Sequence, residues 1–132
     1  RAAEQNHAGA QVNLGVMYED GRGVSQDAAE AVHWHRRAAE QGHSGAQFNL
    51  GLMYEDGWGV SQDNAEAVHW YRRAAEQNYP DAQVNLGMMY YYGQGVSQDN
   101  AESLKWFRRA AEQGDTEAQL TLAIMQRKTE FF

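Results

Sequence analysis

The stretch AQFNLGLMYEDGWGVSQDNAEAVHWYRRAAEQ, residues 46–77, recurs with few changes at residues 10–41 and 82–113. Its closing RAAEQ also opens the chain, so this motif begins at Arg1, Arg37, Arg73 and Arg109, always 36 residues apart. Residues 6–41 differ from 42–77 at seven of 36 positions, and 42–77 from 78–113 at thirteen. Self-similarity at a fixed period of this size marks a chain assembled from stacked supersecondary units. The units run 6–41, 42–77 and 78–113, with a remnant of a second helix at 1–5 and a partial fourth unit at 114–132.

Each unit reads as two helices, A and B. Ala10, Leu14, Met17 and Tyr18 recur at helical spacing on one side of helix A, and Gly21 stops it. Helix B opens at Asp27, Asp63 and Asp99, each followed three residues later by Glu30, Glu66 or Glu102, the pattern of a capping box. Ala31, Trp34 and Ala38 then form its buried stripe, with Arg36, Arg37 and Glu40 expected on the wet side. Asn6, Gly42, Asn78 and Gly114 share one turn position between units, where only residues that tolerate a left-handed backbone occur. Pro80 fits the first turn of its helix A, where a missing N–H costs nothing.

A helix pair of this size cannot bury its apolar face alone. The units must therefore stack into an all-α, right-handed α-α superhelix, a solenoid of the tetratricopeptide kind. The pattern A-x-x-x-L-G-x-x-Y, G-x-G-V and A-x-x-W-x-x-x-A-A, read at Ala46 to Tyr54, Gly57 to Val60 and Ala67 to Ala75, resembles the Sel-one-like repeat, a longer-unit cousin of the tetratricopeptide repeat. The resemblance covers nearly the whole chain. It implies a protein-interaction adaptor rather than an enzyme, and favours export over a cytoplasmic location. The chain has no cysteine and so departs from the cysteine-rich branch of that family.

Composition narrows the classes independently. With 42% apolar residues the chain can bury a core, and no apolar run approaches the length of a membrane helix. Eighteen acidic against eleven basic residues give a net charge of −7, too acidic for a phosphate-neutralising stripe, so no nucleic-acid partner is expected. The absence of cysteine removes disulfides, thiolate metal sites and thiol nucleophiles together. The chain starts at Arg1 in the middle of the repeat pattern, which reads as a piece of something longer.

Candidate chemistry is thin. The loop pairs Gly21/Gly23, Gly57/Gly59 and Gly93/Gly95 lack the preceding strand, third glycine and lysine of a phosphate cradle, so they read as turns. Ser25, Ser61 and Ser97 have no histidine fixed beside them and are not nucleophiles. Glu30–His33 and Glu66–His69 have the Glu-x-x-His form used by two-metal helical bundles. Lys105 replaces the histidine in the third unit, and a lysine serves a surface charge pair but not a ligand set, so neither metal nor cofactor is expected. His35 aligns with Tyr71 and Phe107 as a ring-shaped core filler, and His7 and His43 align with Tyr79 and Asp115 in capping or turn positions.

The second face of helix A resists so plain a reading. Val12 and Val16, with Phe48 and Leu52, Val84 and Met88, and Leu120 and Ile124 at the same positions, lie roughly opposite the packed stripe. A helix apolar on two faces is either fully buried or offers one face to a partner. The expectation is a concave groove lined by the A helices, with a floor of Phe48, Leu52, Val84 and Met88. Its rim runs from acidic, at Glu19, Asp20, Glu55 and Asp56, to aromatic, at Tyr91 and Tyr92. Such a groove suits a protein segment carrying a basic stretch beside an apolar anchor. Trp58 stands in a loop where the other units have Arg22 and Gln94, so nothing in the fold requires it. The competing readings are a spacer or a self-assembling solenoid, its open end covered by end-to-end association or by docking of the Phe131–Phe132 tail, and a metal-dependent enzyme.

Overall fold

The computed structural model describes Ala3 and residues 7–131, and side chains up to Lys128. Among the described residues there are seven helices and no strand: α1 (Ala8–Asp20), α2 (Ala28–Glu40), α3 (Ser44–Asp56), α4 (Asn64–Glu76), α5 (Pro80–Tyr92), α6 (Asn100–Glu112) and α7 (Thr116–Phe131). The odd-numbered helices are the A helices and the even-numbered the B helices. Each packs chiefly on its neighbours in sequence, the arrangement of an α-α solenoid. The expected remnant helix at 1–5, the turn residue Asn6 and the tail residue Phe132 lie outside the described residues, Ala3 excepted.

Local signals end the helices where the sequence places them. Gly21, Gly57 and Gly93 take left-handed backbone at φ of 71°, 68° and 68°, and their amides donate to the carbonyls of Met17, Met53 and Met89. Asn78 is the one non-glycine residue with positive φ among the described residues, at the shared inter-unit turn. The carboxylates of Asp27, Asp63 and Asp99 accept from the amides of Glu30, Glu66 and Glu102, each at 3.1 Å. The reciprocal half of the capping box is taken over by a different bond. The amides of Asp27, Asp63 and Asp99 donate at 2.9 Å to the carbonyls of Tyr18, Tyr54 and Tyr90, which ties each loop back onto its own helix A.

The core is built across unit boundaries. One cluster joins Ala31 and Val32 of α2, Leu50 and Met53 of α3, and Trp70 of α4; the next joins Ala67 and Tyr71 of α4, Leu86 and Met89 of α5, and Trp106 of α6. No unit therefore holds a complete core of its own, and stacking on a neighbour completes it. Within a pair the helices approach so closely that a Cβ on Gly51 would lie 2.6 Å from the Tyr71 ring. The rings at His35, Tyr71 and Phe107 fill this contact and are fully buried, as the sequence reading expects.

Two features depart from that reading. Arg36 and Arg37 are half-buried rather than on an open wet face: Arg37 stacks over Trp34 at 5.1 Å, and Arg36 donates to the Tyr54 hydroxyl across the seam. Arg73 and Arg109 repeat the stacking over Trp70 and Trp106 at 5.0 and 4.8 Å. The reason is the length of the side chain, whose stem lies along apolar surface while the guanidinium finds a ring face.

The second feature is a glutamine relay that the hydrophobic pattern conceals. Gln11, Gln47 and Gln83 are buried on the A helices. Gln47 donates to the Ala39 carbonyl at 3.1 Å and accepts from Gln77 at 2.7 Å; Gln83 does the same with Ala75 and Gln113 at 3.0 and 2.7 Å. One amide thus links the end of the preceding helix B, its own helix A and the following helix B. Replacing Gln47 by methionine, which keeps the volume and removes both bonds, should cost about 1–3 kcal/mol because polar groups around it lose their partner. A shifted urea midpoint checks this, and an unmoved one contradicts it.

Candidate functional site

The outward side of the A helices carries the exposed large apolar groups. Trp58, Met88, Tyr92, Leu120 and Ile124 all expose more than a third of their surface there or in the adjoining loop. Two crevices open between successive A helices. The first, about 370 Å³, lies between α1 and α3 and is lined by Glu19, Asn49, Leu52, Met53, Asp56 and Trp58. The second, about 230 Å³, lies between α5 and α7 and is lined by Met88, Tyr91, Tyr92, Phe107, Glu117, Thr121, Ile124, Met125 and Lys128.

These crevices are one feature built twice. Glu19, Asn49, Leu52, Met53 and Asp56 stand two units, or 72 residues, before Tyr91, Thr121, Ile124, Met125 and Lys128. Their apolar walls are alike, while the rim changes from carboxylates to a tyrosine and an ammonium group. The wall behind the rim changes with it. Glu19 Oε1 lies 2.6 Å from His35 Nε2, and Glu55 accepts from the Tyr71 hydroxyl at 2.7 Å, whereas Tyr91 lines its crevice beside Phe107, a ring with no donor. Acceptor and donor appear together or vanish together.

Burial, reinforced by the hydrogen-bonded Glu55 carboxylate, pushes the Tyr71 phenol well above its ordinary range; burial and Asp81 act in the same direction on Tyr79. A folded-state pKa raised above the unfolded value gives stability that is fully present below about pH 10 and is lost as pH rises beyond it. Stability should therefore fall above pH 10 by up to about 1.4 kcal/mol per pH unit from Tyr71 alone. Tyr71→Phe should flatten that slope in urea titrations run between pH 9 and 11.5, and equal slopes for the two proteins would contradict it.

The groove expected from the sequence is brought together only in part. Leu52, Asp56 and Trp58 line the first crevice with Glu19, and Met88, Tyr91 and Tyr92 line the second. Val84 is 4% exposed and packs with Phe107, Ala110 and Ala118, so it belongs to the core and not to a groove floor. Phe48 is half-buried between the rings of Tyr71 and Tyr79, at 5.9 and 5.3 Å, where it serves the seam between α4 and α5. Val12 is half-buried against the Ala31–Leu50–Trp70 cluster, and Val16 is half-buried. The superhelical offset between units turns this side of helix A partly onto its neighbour. Glu55 is held by Tyr71, and Asp20 is exposed and paired with Arg22 at 3.1 Å.

Asn49, Met53, Thr121, Met125 and Lys128 were not legible as lining residues, although the 72-residue register locates each one once a single crevice is known. A smaller recess of about 120 Å³ beside the second crevice adds Asn100 and Leu104. His33 and His69 are exposed on the B helices, each edge-on to the neighbouring Trp34 or Trp70 at 4.9 and 5.0 Å. In the third unit Lys105 pairs with Glu102 at 3.8 Å. His43 caps α3 through Nδ1, and Asp115 does the same for α7. Among the described residues no three histidine, aspartate or glutamate side chains converge to hold a metal ion.

The family model of the Sel1 repeat matches residues 8–43, 44–79 and 80–115. The chain belongs to the Sel1 repeat family. The matched repeats start two residues after the units read from the sequence. The chain is similar to a Sel1 repeat protein from Oxalobacter formigenes, at 45% identity and a TM-score of 0.88 over 91% of this chain and 49% of that one. It is similar to c5321, described as a protective antigen of uropathogenic Escherichia coli displaying an SLR fold, at 52% identity and a TM-score of 0.86 over 89% of this chain and 25% of that one. Helicobacter pylori cysteine-rich protein B matches at 28% identity and a TM-score of 0.68 over 70% of each chain. This chain thus spans about half and a quarter of the first two relatives. No curated protein matches it significantly. Sel1 repeat proteins generally mediate protein–protein interaction and are typically non-catalytic. Among the described residues no helix is long and apolar enough to cross a membrane.

Proposed function

We propose that this Sel1 repeat chain is a protein-interaction scaffold that takes an extended segment of a partner protein along the outward side of its A helices. The observation that carries the reading is the pair of equivalent crevices between A helices, bordered by Trp58, Met88, Tyr92 and Ile124, exposed groups that the stacking itself does not use. Large aromatic side chains on a rigid helical scaffold are the usual energetic centres of an interface. The acidic first crevice and the second one, walled by Met88, Tyr92 and Ile124, suit a segment with a basic stretch beside an apolar anchor. The role assigned is binding, without catalysis, metal or cofactor, and an extracytoplasmic location belongs to the same proposal, supported by the likeness to a protective antigen. Association between copies belongs to it as well, through the exposed Leu120 of α7, which lines neither crevice.

The test is an alanine scan against peptides selected from a displayed random library. Trp58→Ala and Tyr92→Ala should each weaken the selected peptides by about 1–3 kcal/mol without moving the thermal midpoint, since neither side chain is in the core. Phe48→Ala should instead destabilise the fold. Selected peptides that ignore Trp58 and Tyr92 but are lost on changes at His33, His69 or Arg36 would move the interface to the B helices and overturn the reading.

A further inference from the structure

The two crevices differ in a way that specifies what each accepts. In the first unit Asp20 is paired with Arg22 at 3.1 Å. The second unit keeps the carboxylate, as Asp56, but has Trp58 where the first has Arg22. Asp56 is exposed and pairs with no cation among the described residues, and Trp58 beside it is 39% exposed. The cation that the first unit supplies from its own loop is thus replaced by a ring face, and Glu19 adds a second carboxylate to the same crevice. One Glu19 oxygen is engaged by His35, and an ionised carboxylate retains acceptor sites beyond that. Two carboxylates and an open indole fit a guanidinium, which hydrogen-bonds in a planar fork and stacks on aromatic rings.

The second crevice refuses the same group. Lys128 stands where the first crevice has Asp56, and Tyr91 where it has Glu19, so an arginine there meets a like charge and a single carboxylate, Glu117, in place of two. Its walls of Met88, Tyr92 and Ile124 fit an apolar side chain. The crevices are two units apart. Successive A helices are joined through a B helix packed on both, so each unit advances roughly 10–15 Å and two units on the order of 20–30 Å. An extended chain, at about 3.3 Å per residue, covers that distance in about six to nine residues.

We infer that the partner segment places an arginine in the Glu19–Asp56–Trp58 crevice and a large apolar side chain, about six to nine residues away, in the Tyr91–Tyr92–Ile124 crevice. This inference rests on the proposed binding function of the A-helix face and adds the chemistry and the spacing of the two anchors.

The experiment titrates the ¹⁵N-labelled chain with synthetic peptides holding one arginine and one leucine, separated by serine–threonine spacers of two to ten residues. Affinity should peak at a separation between six and nine, at least five-fold above the shortest spacer. The Trp58 indole signal should then move together with the amides of Tyr91 and Ile124. Trp58→Arg rebuilds the first unit's own pairing, so the fold tolerates it; the variant should lose the preference for arginine-bearing over arginine-free peptides while the leucine contact remains. Perturbation of the A-helix face that is independent of spacing, or equal for peptides with and without arginine, overturns the inference and leaves the binding function standing. Peptides that perturb only the B helices, or no residue at millimolar concentration, overturn both.

Discussion

Trp70→Ala is expected to lower the free energy of unfolding by about 3–5 kcal/mol and to do so for the whole solenoid at once. Trp70 is 5% exposed and packs with Ala31 and Val32 of the preceding unit and with Leu50 and Met53 of its own. Truncating it opens a cavity at the junction between units, and Arg73 loses the ring over which it stacks. A domain whose total stability is about 5–15 kcal/mol cannot absorb that at its centre. Trp34, the same residue in the first unit, is half-buried, so Trp34→Ala should cost clearly less. Urea unfolding followed by circular dichroism checks both, and a Trp70 variant with an unmoved midpoint would remove the tryptophans from the core.

Gly59→Ala should be nearly as severe although it adds one methyl group. Gly59 has φ of 78°, and an added Cβ would sit 2.4 Å from the Ala28 carbonyl oxygen and 2.9 Å from Val32 Cγ2. The obstacle is backbone in the first turn of α2, so relief requires moving one unit against the next. Left-handed backbone with a side chain costs about 1–2 kcal/mol and overpacking about 1–3 more, which together predict a loss of about 2–5 kcal/mol. Gly23 is the internal control. It has nearly the same φ, 73°, but its added Cβ would meet only the tip of Met17 at 3.5 Å, so Gly23→Ala should show the backbone cost alone. Equal losses at the two glycines would contradict the packing account.

What was legible follows from range. The 36-residue period, the aspartate caps and the left-handed glycines are local signals, and each decides its own turn of chain without reference to a distant partner. The seam is not local. Phe48 and Val84 look like Leu52 and Met88 on a helical projection, and only the rotation between units puts the first two against Tyr79 or Phe107 and the last two at a crevice. The role of Gln47 is not legible in the sequence because a polar residue at a buried position is intelligible only when the Ala39 carbonyl and the Gln77 amide are in view. Its unvarying recurrence at residues 11, 47, 83 and 119, beside alanine each time, was the available clue. Trp58 stood out from sequence alone, since the equivalent positions show that the fold accepts arginine or glutamine there.

The most direct test of the interaction face is an amide and indole chemical-shift map of the ¹⁵N-labelled chain as it binds a library-selected peptide. The largest shifts are expected at Leu52, Asp56, Trp58, Met88, Tyr92 and Ile124, the residues around the two crevices, with the exposed B-helix positions His33, His69 and Arg108 silent. A map centred on those three positions, with the crevices silent, would contradict the assignment of the A-helix face as the binding surface.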